Sequence, residues 1–239
     1  MIQNFKSFKN KKIIIFSDLS MLILKVGHKK IINYIIEIIE ILIKNNNTII
    51  LPTYNFNFAK TKKTSSDNKF ITTGYLNKYL LKQYEFLRTK KPIYNYAVLG
   101  PKKKEIVSLE QNTAFGKDSV IGSLSMHGAI ALGIGVDPLN FNWVTIHVCE
   151  EISKVPYRFF KKFTGQNIDT KENVNEKIFV RKKKFKFIIT GEKIYNILSN
   201  KKKIFSYKFK KLNITSVNLY NYYKAGTQLL KKNKYSLVK

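Results

Sequence analysis

The stretch "KIIIFSDLS" (Lys12–Ser20) decides the fold when read together with "KKIINYIIEIIEILIK" (Lys29–Lys44) and "NNNTIILPTYNF" (Asn45–Phe56). Ile13 to Phe16 is a short, uniformly apolar run that reads as a buried strand closed by a polar turn. In the second piece Ile31, Ile35, Ile38 and Leu42 recur at helical spacing and share one face. The third gives a turn, a second buried strand over Thr48 to Leu51, and Pro52 to end it. Strand, helix, strand in that order is a βαβ unit, and such units build parallel or mixed sheets flanked by helices.

Working outward, the segment Leu76 to Arg88 reads as a further helix after the polar loop "TKKTSSDN". "YNYAVLG", "IALGIGV" and "WVTIHVC" read as strands, and "SVIGSLSMHGA" as a helix capped by Asp118 or Ser119. Beyond Gly165, "KIFVRKKKFKFIITG" and "IFSYKFKKL" alternate as antiparallel strands with one wet face do, and "VNLYNYYKAGTQLLKKN" reads as a closing helix. The expectation is an α/β fold with a mixed central sheet, flanking helices and antiparallel C-terminal strands. With 239 residues and no composition break, residues 1–239 are expected to form a single domain.

The formal charge is +29, which ordinarily signals a polyanionic partner. The excess is nearly all lysine, since Arg88, Arg158 and Arg181 are the only arginines. Phosphate and base readers rely on the arginine fork, so a dedicated nucleic-acid partner is not expected. The abundance of Lys, Asn and Ile also matches A/T-rich codon usage. A single cysteine excludes an intrachain disulfide and a cysteine-rich zinc site. The N-terminus lacks a signal peptide's apolar core, and Ile31 to Ile43 is broken by Asn33, Glu37 and Glu40 and too short to span a bilayer. A cytoplasmic protein with no membrane span is expected; a homodimer is allowed but not specified.

Chemistry concentrates in "VTIHVCEE" (Val144–Glu151), which holds His147, the lone Cys149, Glu150 and Glu151. As a strand it points His147 and Cys149 one way and Glu150 the other. If the strand gives way to a helix, the i, i+3 pair His147 and Glu150 meets. The residues alone leave His147 open between a hydrogen-bonded core histidine and a general base. No metal is expected, because no HxH or HExxH spacing exists. Cys149 reads as a small buried residue, with no third group to orient it as a nucleophile. Gly116, Gly133 and Gly135 form no dinucleotide or P-loop fingerprint, whereas "FGKDS" reads as a loop delivering a helix N-terminus to an anion.

Taken in order, these segments resemble the aminoglycoside 3-N-acetyltransferase family. "FSDLS", "TIILPTYNF", "RTKKPIYNYAVLG", "FGKDSVIGSL" and "TIHVCEE" are similar to successive family blocks, and "VPYRFFKKFTG" follows as in many members. The resemblance covers roughly residues 13 to 165. It implies transfer of acetyl from acetyl-CoA to an amine, with His147 as general base and Glu150 orienting it. It further implies a cofactor site at Ser17, Asp18, Leu19, Ser20, Thr53 and Ser119, and substrate contacts at Asp118, Lys91 and Asn95. Lys91 stands where the family usually has histidine, Asn95 where it has serine, and Phe16 where it often has a first histidine. The acceptor expected from the positive field is a nucleotide-linked amino sugar or glycan precursor. An aminoglycoside is the alternative within this chemistry, and a non-catalytic nucleic-acid-binding module the alternative outside it.

Overall fold

The structure, a computed structural model, describes residues 5, 7–137 and 144–239. Strand β1 (Lys12–Ser17) leads through helices α1 (Ser20–Val26) and α2 (His28–Lys44) to β2 (Thr48–Pro52), which pairs parallel with β1. This is the βαβ unit expected from the sequence. Short elements follow: α3 (Phe58–Thr61), β3 (Lys63–Thr64), α4 (Tyr75–Gln83), β4 (Leu87–Arg88), β5 (Tyr96–Leu99) and α5 (Lys103–Val107). Next come α6 (Val120–Met126), β6 (Ile130–Ile134), α7 (Thr145–Ile152), β7 (Arg158–Asn167) and β8 (Asn173–Arg181). The chain closes with α8 (Glu192–Asn200), the hairpin β9 (Ile204–Phe209) and β10 (Leu212–Asn218), and α9 (Leu219–Lys232).

Seven strands form one sheet in the order β4-β5-β2-β1-β6-β10-β9, and β3, β7 and β8 form a second, smaller one. The centre of the large sheet is parallel, β2 and β6 flanking β1, while β5, β10 and β9 are antiparallel to their neighbours. Alternation along β1 divides two cores. Ile13 and Ile15 pack under α2, whose Ile31, Ile35, Ile38 and Leu42 are all buried, while Ile14 faces the side covered by α6, α7 and α9. Gly226 lets α9 approach α7 closely: a Cβ there would lie 2.6 Å from the Cys149 sulfur.

Three expectations are corrected. "WVTIHVC" is not a strand; Thr145 onward is helical, and Trp143 lies outside the described residues. The helix from Leu76 ends at Gln83, and Leu87–Arg88 instead pairs with β5. Of "KIFVRKKKFKFIITG", only the part up to Arg181 is strand; Ile189 makes an isolated bridge to Val238.

β1 is the point where the sheet's connections diverge, to β2 on one side and β6 on the other. Crevices outside the carboxyl ends of strands at such a point are where open α/β sheets bind ligands. Gly135, with φ +70°, lets the end of β6 pack closely against the turn after β1. Its missing Cβ would otherwise meet the Asp18 carbonyl at 2.3 Å, and Asp18 N donates to the Ile134 carbonyl at 3.0 Å.

Candidate active site

α7 is a helix buried nearly all round, with Thr145, Ile146, Val148, Cys149, Glu150 and Glu151 inaccessible. Over only eight residues the apolar positions fit a buried strand as well as a helix. The helix ends where Lys154 turns left-handed (φ 49°) and Pro156 prevents continuation.

The helical turn brings His147 Nδ1 to 2.8 Å from Glu150 Oε2. The same oxygen lies 2.9 Å from Arg158 Nε, and Glu150 Oε1 accepts from the Tyr157 hydroxyl at 3.0 Å. Arg158 is itself fixed by donation from Nη1 to the Phe179 carbonyl at 2.8 Å, and its Nη2 lies 3.1 Å from His147 Nδ1. Burial acts most strongly on the Glu150 carboxyl and pushes its pKa up. The hydrogen bond and charge of His147, the Arg158 charge and the Tyr157 hydroxyl together outweigh it and leave the carboxyl below its usual range. An ionised Glu150 selects the tautomer with hydrogen on Nδ1, so Nε2 carries the lone pair. Among the described residues Nε2 has no hydrogen-bond partner.

His147 sits at the rim of two cavities. The first, about 480 Å³, lies at the ends of β1 and β2, bounded by Ser17 and Asp18 and walled by Tyr54, Phe56 and Tyr94. Phe115 packs between Tyr94 and His147, with ring centroids 4.7 and 4.9 Å away, and so continues that wall. The second, about 730 Å³, runs along Arg158, Arg181, Lys183 and Lys186 with Phe185 and Phe187.

Of the residues expected at the site, the structure gathers His147, Glu150, Ser17 and Asp18. Ser20 is exposed, and its backbone N–H and hydroxyl both donate to Asp18 Oδ1, while Leu19 packs into the α2 core. Thr53 and Asn95 are buried and hydrogen-bonded to one another, with Arg88 donating to the same Asn95 oxygen. Ser119 is fully buried and occupied as the α6 cap, donating to the Gly116 carbonyl and accepting from Gly122 N. Asp118 closes the turn on Asn112. The "FGKDS" loop therefore presents a capped, buried helix start in which the Ser119 hydroxyl already has its partners. Lys91 borders neither cavity, but its charge acts on buried Glu176. Cys149 points at α9 and donates to the Tyr223 carbonyl at 3.6 Å, and burial pushes its thiol well up, which disfavours the thiolate. Tyr157 and Arg158 were missed as partners of Glu150. The scarcity of arginine in a lysine-rich chain was the available signal for Arg158.

A family model described as aminoglycoside 3-N-acetyltransferase matches residues 34–231. The chain belongs to this family. Among curated proteins no sequence matches. The fold is similar to that of the YokD protein from Bacillus subtilis, with a TM-score of 0.71 at 15% identity over 98% of this chain and 94% of that one. It is also similar to AAC-IIIb in its binary structure with CoASH (TM-score 0.72, 13% identity, 97% and 96% covered). A third relative is a mutant of AAC(3)-IVa in complex with a gentamicin (TM-score 0.73, 13% identity, 99% and 87% covered). Among the described residues no helix is long and apolar enough to cross a membrane, and no cluster of three or more His, Cys, Asp or Glu is placed to hold a metal ion.

Proposed function

We propose that residues 1–239 act as a single N-acetyltransferase domain that moves acetyl from acetyl-CoA to the amine of an amino sugar, with His147 as general base. The observation that carries this reading is the 2.8 Å His147–Glu150 pair standing where two cavities meet. A base at such a junction serves a reaction whose two partners arrive from different sides.

The aromatic cavity beside Ser17 and Asp18 fits a slender acyl-thioester arm: its lining is more apolar than polar and includes His147. When bound there, acetyl-CoA supplies an activated acetyl group. A sugar amine is mostly protonated near neutral pH and must lose a proton to attack. Nε2 takes that proton, and ionised Glu150 stabilises the imidazolium that results. As the amine nitrogen bonds the acetyl carbon and the thioester C–S bond breaks, the imidazolium gives its proton to the departing CoA thiolate. The new amide sheds its extra proton to solvent. Arg158 and Tyr157 hold the Glu150 carboxylate in place so that the imidazole is oriented before the acceptor arrives.

Two acceptor chemistries compete within this reading. The AAC(3)-IVa complex with a gentamicin and the AAC-VIa complex with sisomicin support an aminoglycoside. The net charge of +29 supports an anionic amino sugar, nucleotide-linked or a glycan precursor. The test is to incubate the protein with acetyl-CoA and a panel of both acceptor classes, following release of free thiol. Acetyl-CoA should also raise the melting temperature. A thermal shift with RNA and none with millimolar acetyl-CoA would replace this reading by a nucleic-acid-binding module.

A further inference from the structure

Resting on the acetyl-transfer reading, we infer that the groove of Arg181, Lys183 and Lys186 beside His147 binds a phosphate group of the acceptor, so that the amine acetylated belongs to a phosphate-bearing amino sugar. Four cationic side chains, Arg158, Arg181, Lys183 and Lys186, line the groove together with His147, and no carboxylate lines it. Arg158 is neutralised by Glu150 at 2.9 Å. Lys183 and Lys186 form no ion pair among the described residues. The residues outside the described set, 1–4, 6 and 138–143, contain no Asp or Glu, so none of them supplies a counter-charge.

The groove is therefore a cleft of one sign on a chain of net charge +29. Such clefts focus the field and concentrate anions while repelling polycations such as aminoglycosides. Lysine and arginine together are the usual donors to phosphate oxygens. Its apolar side is preformed. Phe185 and Phe187 stack at 5.2 Å with 17° between their planes, and Phe187 is pinned edge-on by Tyr157 and Tyr235. Arg181 Nη1 donates to the Phe187 carbonyl, which ties the guanidinium to the same wall. A sugar against this wall, with its phosphate on Lys183 and Lys186, lies in the groove that His147 borders. The donor's own phosphates are the competing occupant, because acetyl-CoA also carries them.

The test separates the two. Protein saturated with CoA is titrated with inorganic pyrophosphate by calorimetry, comparing the native chain with Lys183→Glu/Lys186→Glu. These lysines are exposed, so the double substitution folds. Pyrophosphate should bind the CoA-saturated native protein, at least tenfold more tightly than the variant, while CoA affinity is the same in both. In turnover, kcat/KM for glucosamine 1-phosphate should exceed that for glucosamine at least tenfold, and charge reversal should bring that ratio towards one. No pyrophosphate binding to the CoA-saturated protein, or CoA affinity that falls with the charge reversal, overturns the inference, since the groove then holds the donor. Gentamicin acetylated in preference to glucosamine 1-phosphate overturns it as well. If no amine is acetylated while lysine-dependent pyrophosphate binding persists, the acetyl-transfer reading fails and the groove stands as an anion site.

Discussion

Two buried carboxylates show how differently this fold treats the same chemical group. Glu150, on α7, meets an imidazole, a guanidinium and a phenol, and its pKa is pulled down against the effect of burial. Glu176, on β8, accepts from the backbone N–H groups of Ile93 at 2.7 Å and Tyr94 at 3.1 Å, with the Lys91 charge as its one further help. There burial wins, and the pKa is pushed up to about 7. Charged partners, not depth, keep a buried carboxylate ionised. The first arrangement suits catalysis; the second ties β8 to the Tyr94 wall of the aromatic cavity.

Removing the proposed base should break the Glu150 side most severely. His147→Ala should slow transfer by a factor on the order of 10²–10⁴, with acetyl-CoA affinity nearly unchanged. A variant that is fully active, or one that does not fold, would make His147 a core histidine. Glu150→Gln keeps the shape but removes the charge, so the rate should fall roughly tenfold to a thousandfold. Arg158 is then left without its counter-charge, and denaturant unfolding should show a loss on the order of 1–3 kcal/mol. On the proposed mechanism His147 and Glu150 act as one unit, so the double variant should be scarcely slower than His147→Ala; multiplicative losses would show two independent roles.

The Glu176 side is sharpened by pH. A carboxyl whose folded pKa is about 7, above its unfolded value near 4.5, binds more protons folded than unfolded between those values. Stability therefore falls as pH rises from about 4.5 to about 7, by on the order of 3 kcal/mol, and levels off above. Glu176→Gln should remove this slope in chemical unfolding measured across that range. A slope unchanged in the variant would mean that some other group carries it. The smallest effect belongs to Cys149→Ala, which should keep the rate within about twofold and cost about 1 kcal/mol in stability. An acetylated Cys149 trapped during turnover would reverse that reading.

Comparing sequence with structure, the legible parts were those with a strong period or a hard boundary. The β1–α2–β2 unit was readable because a 17-residue helix with one apolar face sits between two short strands, β1 with a buried Ile13–Ile15 centre and β2 buried throughout. The closing helix α9 was readable from its amphipathic run, and Asn218 caps it by accepting from Tyr220 N and Asn221 N. Of the two cap candidates, Asp118 and Ser119, the structure uses Ser119, whose hydroxyl accepts from Gly122 N. α7 was illegible as a helix because it is only eight residues long, and over so short a run the apolar positions read equally well as a strand.

The sequence by itself determined the residues available for chemistry: one histidine three positions before a glutamate, one cysteine, three arginines and a large lysine excess. It also determined the βαβ start and the family. Only the tertiary structure decided that His147 and Glu150 share a helical face, because a short apolar run folds as strand or helix according to what packs around it. Only it brought Arg158 and Tyr157 onto Glu150 from beyond the turn at Lys154. It alone set the basic run Arg181–Lys186 beside His147 and Arg158, since Coulomb fields depend on distances in space and not along the chain.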